Sequence, residues 1–397
     1  MKAIDRFIKY VKINTKSDDK SEAIPSTAIQ LDLMKVLLEE LKELGIDNAF
    51  IDEYGNLYAH IDGEGETIGL NAHVDTATNI SGENVKPQII HSYNGQDIKL
   101  NDEYTLSSKQ FPSLLEHIGK DLVTTSGDTL LGADDKAGIA IIMGAVDYLI
   151  SHPEIKHHPI AISFTCDEEI GRGARYFSLE KMNASYAYTI DGGDISYINY
   201  ENFNAKGVKL TFEGIAIHPG SGKDKLINAV LLLNEFLNEL PKNDNPYHSE
   251  GYEGFWHIDD VNGNSQYLEA EMILRDFDID RLNKRAEIIN LSIEQLNNKY
   301  PGSKSKAIIY DSYSNMKEYV DKKPIVIEKA KEAMIKNGLE PKSAPIRGGT
   351  DGATFSKMGL VTPNLGTGGY NCHGRYEYLV IQDFEKMINV VIDILKI

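Results

Sequence analysis

Cysteine is nearly missing from this chain: Cys166 and Cys372 are the only two among 397 residues. A disulfide framework is therefore excluded, and two thiols cannot complete a structural metal site. Both read as small buried side chains, and such usage fits a reducing compartment, the cytoplasm. Basic residues are also in short supply, with 41 Lys and Arg against 60 Asp and Glu and a formal charge of -19. Such a surface repels nucleic-acid backbones and anionic membranes, so neither is an expected partner, whereas metal cations suit it. No apolar run approaches a membrane span, and the charged start Met1-Lys2-Ala3-Ile4-Asp5-Arg6-Phe7 lacks the apolar stretch of a signal peptide. Internal repeats and low-complexity tracts are missing too. So are a G-x-S-x-G elbow, a Walker loop and a G-x-G-x-x-G after a strand, which removes those nucleophile and nucleotide systems.

What is present is the balance of a globular chain, 41% hydrophobic and 25% charged, at a length that favours two domains. Apolar residues at helical spacing predict helices over 1–14 and 27–44, then short β-like runs at 49–52, 57–61 and 67–72. A long apolar helix over 137–150 follows, with buried strands over 160–165 and 186–190. This alternation predicts an α/β domain, a sheet with helices on both faces, formed by residues 1–205 and 313–397. Residues 80–128, rich in Pro, Asn, Gly and Ser, read as a hairpin-bearing excursion from its core. Over 206–312 the order becomes strand, helix, strand pair, helix, strand, which predicts a smaller inserted α+β domain. Helices over 325–336 and 381–395 complete the first domain.

Chemistry-bearing residues gather where the predicted strands end. In Leu70-Asn71-Ala72-His73-Val74-Asp75 an imidazole and a carboxylate two residues apart leave a strand on one face. That suits a metal-bound His73 whose ring is held by Asp75. Alone, such a pair also fits a polar turn. Gly132-Ala133-Asp134-Asp135 sets two acids before a long helix, which serves a cap and the helix dipole, yet adjacent carboxylates are easier to understand around a cation. Asp134 is the candidate bridge. The buried strand over 160–165 runs into Asp167-Glu168-Glu169 at its carboxyl end, where open α/β sheets place ligands. One of these acids can bind metal while its neighbour works as a base, and the roles fall to Glu169 and Glu168 respectively. Asp191, at another strand tip before two glycines, is a further ligand candidate. His373, in the Gly-rich stretch Gly368 to Glu377, either closes the site from far along the chain or decorates a surface turn. Two His and three carboxylates of this kind make neighbouring sites with one shared oxygen donor, suited to two zinc ions or related divalent metals.

These stretches, in this order, resemble the superfamily of two-zinc exopeptidases and deacylases, and its tripeptide aminopeptidases most of all. The likeness extends to Glu201-Asn202-Phe203-Asn204-Ala205, Ile217-His218-Pro219-Gly220, Arg275-Asp276-Phe277-Asp278 and Arg347-Gly348-Gly349-Thr350-Asp351. It implies a mixed-sheet, zinc-exopeptidase-like catalytic domain with an inserted two-layer lid or dimerisation domain, and a homodimer. It implies that His73 and Asp191 hold one zinc, Glu169 and His373 the other, and that Asp134 bridges both. Asp75 would orient His73, Glu168 would be the general base, and a cis peptide would join Asp134 to Asp135. His218 would approach the scissile carbonyl oxygen of a short peptide substrate. Arg347, with Arg275, would meet the peptide's carboxylate, because a guanidinium fork matches that group. Cys166 and Cys372 stand beside these motifs where the family more usually has other residues.

Overall fold

The computed structural model describes residues 1–397, and the chain divides into two compact units. The first comprises Met1–Tyr200, Met316–Ala344 and Thr350–Ile397, and the second Glu201–Asn315 with Pro345–Gly349. The second unit thus reaches beyond 206–312 at both ends and takes in the short Arg347 segment.

In the first unit, helices α1 (Ala3–Val11) and α2 (Gln30–Glu43) precede strands β1 (Phe50–Ile51), β2 (Leu57–Ile61) and β3 (Ile68–His73). Then come β4 (Gln88–Ile90), the small hairpin β5 (Ile98–Lys99) and β6 (Thr105–Leu106), and β7 (Leu122–Thr124). Helix α3 (Ala133–Ser151), β8 (Ile160–Thr165), α4 (Leu179–Met182), β9 (Tyr186–Ile190) and β10 (Ile198–Asn199) complete this half. β3 and β8 are buried at every position, as strands covered on both faces must be. α3 buries Ile139, Ile141, Ile142, Met143 and Val146, each contributing about 1.5–3 kcal/mol of burial.

The second unit is a four-stranded antiparallel sheet, β11 (Asn204–Glu213), β12 (Phe255–Gly263), β13 (Tyr267–Asp276) and β14 (Lys304–Asp311), ordered β12-β13-β11-β14. Helices α5 (Ala229–Glu239) and α6 (Ile279–Lys299) complete it. β13 alternates, burying Leu268, Ala270, Met272 and Leu274 against Leu232, Phe236, Ile289 and Ile293 of those helices. One covered face and one open face is what such alternation means.

The chain then returns through α7 (Lys317–Val320), α8 (Ile325–Lys336), α9 (Asp351–Met358), β15 (Asn364–Leu365), β16 (Gly369–Tyr370), β17 (Tyr378–Val380) and α10 (Ile381–Leu395). The main sheet of the first unit has the order β1-β2-β8-β3-β9-β15-β10. Its centre is parallel, β3 lying between β8 and β9, while β2 joins β8 antiparallel. A second sheet, β16-β17-β7-β4, unites the 80–128 excursion with the C-terminal segment: Tyr378 lies opposite Thr124. No helix is long and apolar enough to cross a membrane.

Candidate active site

The parallel strands β3, β8 and β9 deliver their carboxyl ends to one place. His73 is the last residue of β3, Glu168 and Glu169 follow β8, and Asp191 follows β9. Asp134 lies at the start of α3, where its backbone and that of Asp135 leave helical geometry and the peptide between them is cis. Helix and sheet approach closely here: a Cβ on Gly138 would overlap the carbonyl oxygen of Ile190, so only glycine fits. His373 comes from the loop between β16 and β17, with φ at 63°.

Two donor groups result. His73, Asp134 and Asp191 offer ligand atoms within 4.8 Å of one another, as do Asp134, Glu169 and His373. Asp134 belongs to both. Its Oδ1 lies 3.0 Å from His73 Nε2, and its Oδ2 lies 3.1 Å from His373 Nε2. His373 Nε2 is also 2.9 Å from Glu169 Oε2, while Glu169 Oε1 is buried without a partner. Asp75, fully buried, sets its Oδ1 3.3 Å from His73 Nδ1, and the Asp75 carbonyl oxygen is 3.1 Å from the same nitrogen. An Nδ1–H held there leaves Nε2, which faces Asp134, as the nitrogen that could ligate a cation.

The Asp75 carboxylate does a second job that strand spacing does not reveal. It accepts the backbone N–H of Glu168 at 3.0 Å and of Glu169 at 3.2 Å, fixing the turn that aims both acids. That turn begins at Asp167, a non-glycine residue with φ at 61°. Asp167 is held by the Ser26 N–H (2.7 Å), the Ser26 hydroxyl (2.5 Å) and Gln30 Nε2 (2.6 Å). Ser26 and Gln30 carry no catalytic signature, so only the folded chain identifies them. Asp351, at the start of α9, accepts the Thr165 hydroxyl at 2.8 Å beneath the same turn. Glu377 accepts the amides of Leu131, Gly132 and Asp134 at 2.7, 2.8 and 3.1 Å. Its nearness to His373 in sequence was the one available signal.

Charge is poorly balanced in this cluster. Burial, with His73 opposing and Asp351, Asp191 and Glu169 adding to it, holds Glu168 well above the ordinary carboxylate range. Burial followed by the Asp134 charge pushes Asp191 up to about 8. Burial likewise raises Glu169, against the pull of His373. Burial alone would raise Asp134, but hydrogen bonds from His373 and His73 bring it below its usual value. Burial opposes charge on His73, yet hydrogen bonds to Asp134 and Asp75 raise it well above normal. A donor set of imidazole and carboxylate groups whose acids resist ionising together fits divalent cations, which would supply the missing positive charge. The thiols are not part of it: Cys166 and Cys372 are both raised by burial and serve neither donor group.

The other expected site residues lie in the second unit. His218 is exposed, and its Nδ1 accepts the Gly220 amide at 3.2 Å. Arg347 rests over the rings of Phe203 and Phe255, at 5.1 and 5.7 Å. Its guanidinium donates to the carbonyls of Gly251 (2.6 Å), Glu253 (3.0 Å) and Ser249 (3.3 Å) and to the Ser249 hydroxyl (2.9 Å). Arg275 donates to the Arg347 carbonyl at 3.0 Å, and its Nε is buried without a partner, as is the Tyr313 hydroxyl.

Fold and donor set together define a metal-dependent hydrolase. Residues 130–397 match the model of peptidase family M20/M25/M40. The chain is 47% identical over 400 residues to a peptidase T of Clostridium perfringens, covering all of this chain and 98% of that one. Among solved structures it is similar to aminopeptidase PepT from Bacillus cereus, with TM-score 0.78, 21% identity and coverage of 99% and 97%. It is similar also to a tripeptidase from Staphylococcus aureus, with TM-score 0.79, 21% identity and coverage of 100% and 97%. This chain belongs to peptidase family M20/M25/M40.

Proposed function

We propose that this chain is a two-cation aminopeptidase that removes the N-terminal residue from short peptides, chiefly tripeptides. The observation that carries the reading is the sharing of one carboxylate, Asp134, by two donor groups. The names of its relatives, a peptidase T, an aminopeptidase and a tripeptidase, support the substrate class. His73 and Asp191 would hold one cation, Glu169 and His373 the other, with Asp134 common to both. Zinc suits these nitrogen and oxygen donors, with cobalt and manganese as related choices.

Divalent cations held by these residues would supply Lewis acidity, which polarises a carbonyl and eases deprotonation of a water. Glu168 takes a proton from the water as its oxygen bonds the scissile carbonyl carbon, and burial, which raises the proton affinity of Glu168, suits it to hold that proton and pass it to the amine as the C–N bond breaks. Asp75 keeps the His73 ring and the Glu168 backbone in register. For the second unit we assign substrate contacts, His218 to the carbonyl oxygen and Arg347 with Arg275 to the peptide's free carboxylate. The same reading places the enzyme in the cytoplasm as a homodimer.

Glu168→Gln tests the base. It should retain metal while turnover of Ala-Ala-Ala falls by about 10²–10⁴-fold. A variant hydrolysing the tripeptide at near-normal rate would remove Glu168 from the role. N-acetyl-Ala-Ala-Ala should be refused and the C-terminal amide cleaved poorly, which separates this reading from a deacylase or a carboxypeptidase.

A further inference from the structure

We propose that Glu377 is a positioning residue of the catalytic centre, tying the backbone that carries Asp134 to the loop that carries His373. The proposal rests on the two-cation reading above. Glu377 is wholly buried, and its carboxylate takes three main-chain amides: Oε2 those of Leu131 and Gly132, Oε1 that of Asp134. These amides need an outside acceptor. Gly132, the residue before α3, has φ at 79°, the amides of Leu131 and Gly132 lie ahead of the helix, and Asp134 leaves helical geometry, while Asp135 Oδ1 accepts the Gly138 amide at 3.2 Å to cap the helix itself. Glu377 accepts the three earlier amides from the far end of the sequence, on the N-terminal side of α3, where a carboxylate is favoured.

The same loop grips the same segment at two further points. Arg375 Nη1 donates to the Gly127 carbonyl at 3.2 Å, and the His373 ring meets the Asp134 carboxylate. Asn371, with φ at 55°, closes the loop on itself by donating to the Tyr376 carbonyl at 3.2 Å. The spacing between Asp134 and His373 is therefore set by the Glu377 clamp as well as by their own side chains. Ligand-supporting groups of this kind commonly change metal affinity by about 10–100-fold when altered.

Glu377→Gln keeps the shape of the side chain. If its single carbonyl oxygen stays with Leu131 and Gly132, its NH₂ opposes the Asp134 amide, donor against donor. The test uses the full chain, stripped of metal and reloaded with cobalt. Cobalt affinity is read by chelator competition, site geometry by the visible absorption of bound cobalt, and scaffold integrity by the thermal midpoint of the metal-free protein. Glu377→Gln should lower cobalt affinity by about 10–100-fold and alter the absorption, and Glu377→Asp, which keeps the charge, should recover part of both. Wild-type affinity and absorption in Glu377→Gln would overturn the proposal, and so would a loss confined to the thermal midpoint. Should Glu377→Gln fail to fold, Glu377→Asp carries the test: reduced affinity supports the clamp, and unchanged affinity with an unchanged spectrum refutes it. The two readings fail differently. A wild-type chain that binds fewer than two cobalt ions defeats the two-cation site, whereas two ions held equally well by both proteins defeats only the role of Glu377.

Discussion

Glu40 and Glu169 are both buried acids of the first unit, yet their surroundings drive them in opposite directions. Glu40 accepts Arg6 Nε at 3.1 Å, Lys9 Nζ at 2.7 Å and the Tyr10 hydroxyl at 2.7 Å, and despite its burial these partners lower its pKa. Glu169 has only His373 for a cationic partner, competes with Asp134 for it, and keeps a raised pKa. Burial is common to both, so the difference lies in positive charge supplied by the protein. Where the chain provides cations it builds a structural tie between α1 and α2. Where it gathers acids without them, it leaves a donor set that suits cations from outside.

Asp134→Ala probes the second half of this contrast with the largest effect. Removing the shared donor should weaken both cations together and lower activity by about 10³-fold or more, several kcal/mol of lost charge stabilisation. Retention of one tightly bound metal with near-normal turnover would separate the two donor groups. Arg347→Lys asks whether the carboxylate-binding role belongs to a planar fork. It should raise KM by about 10–100-fold for peptides with a free C-terminus, the equivalent of about 1.5–3 kcal/mol, and much less for their amides. Equal losses on both substrates would instead assign Arg347 to holding the 249–253 segment.

Glu40→Gln probes the first half and should cost about 2 kcal/mol in denaturant unfolding near neutral pH. The sign follows from its lowered pKa: the stabilisation is present above the unfolded carboxylate's pKa and is lost as pH falls through the folded value. Wild type and variant should therefore converge in acid, and a gap that widens below the carboxylate range would contradict the pairing. The smallest effect is a proton count. Because burial and Asp134 hold Asp191 near 8, cobalt added to metal-free protein at pH 7 should release about one proton or more per chain. Calorimetry in buffers of different ionisation heat would register it, and binding without release would mean that the acids are already ionised.

Much of this was legible in the amino-acid order because strand tips are local. The buried runs over 160–165 and 186–190 are the strands observed, and the acids that follow them meet at the sheet's carboxyl edge. Long-range pairing was not legible. The 80–128 excursion and the His373 loop share a sheet through Tyr378 and Thr124, a partnership no local period encodes. Nor does composition announce that Pro345–Gly349 groups with the second unit, or that Arg347 there holds the carbonyls of Ser249, Gly251 and Glu253. Ser26, Gln30 and Glu377 escaped for a related reason: they act by hydrogen-bonding groups in distant segments, so their role exists only in three dimensions.

Anomalous diffraction from crystals grown with zinc decides whether two cations share Asp134. Two peaks are expected on either side of Asp134, one beside His73 and Asp191, the other beside Glu169 and His373. A single peak, or a pair whose ligands exclude Asp134, would contradict that sharing.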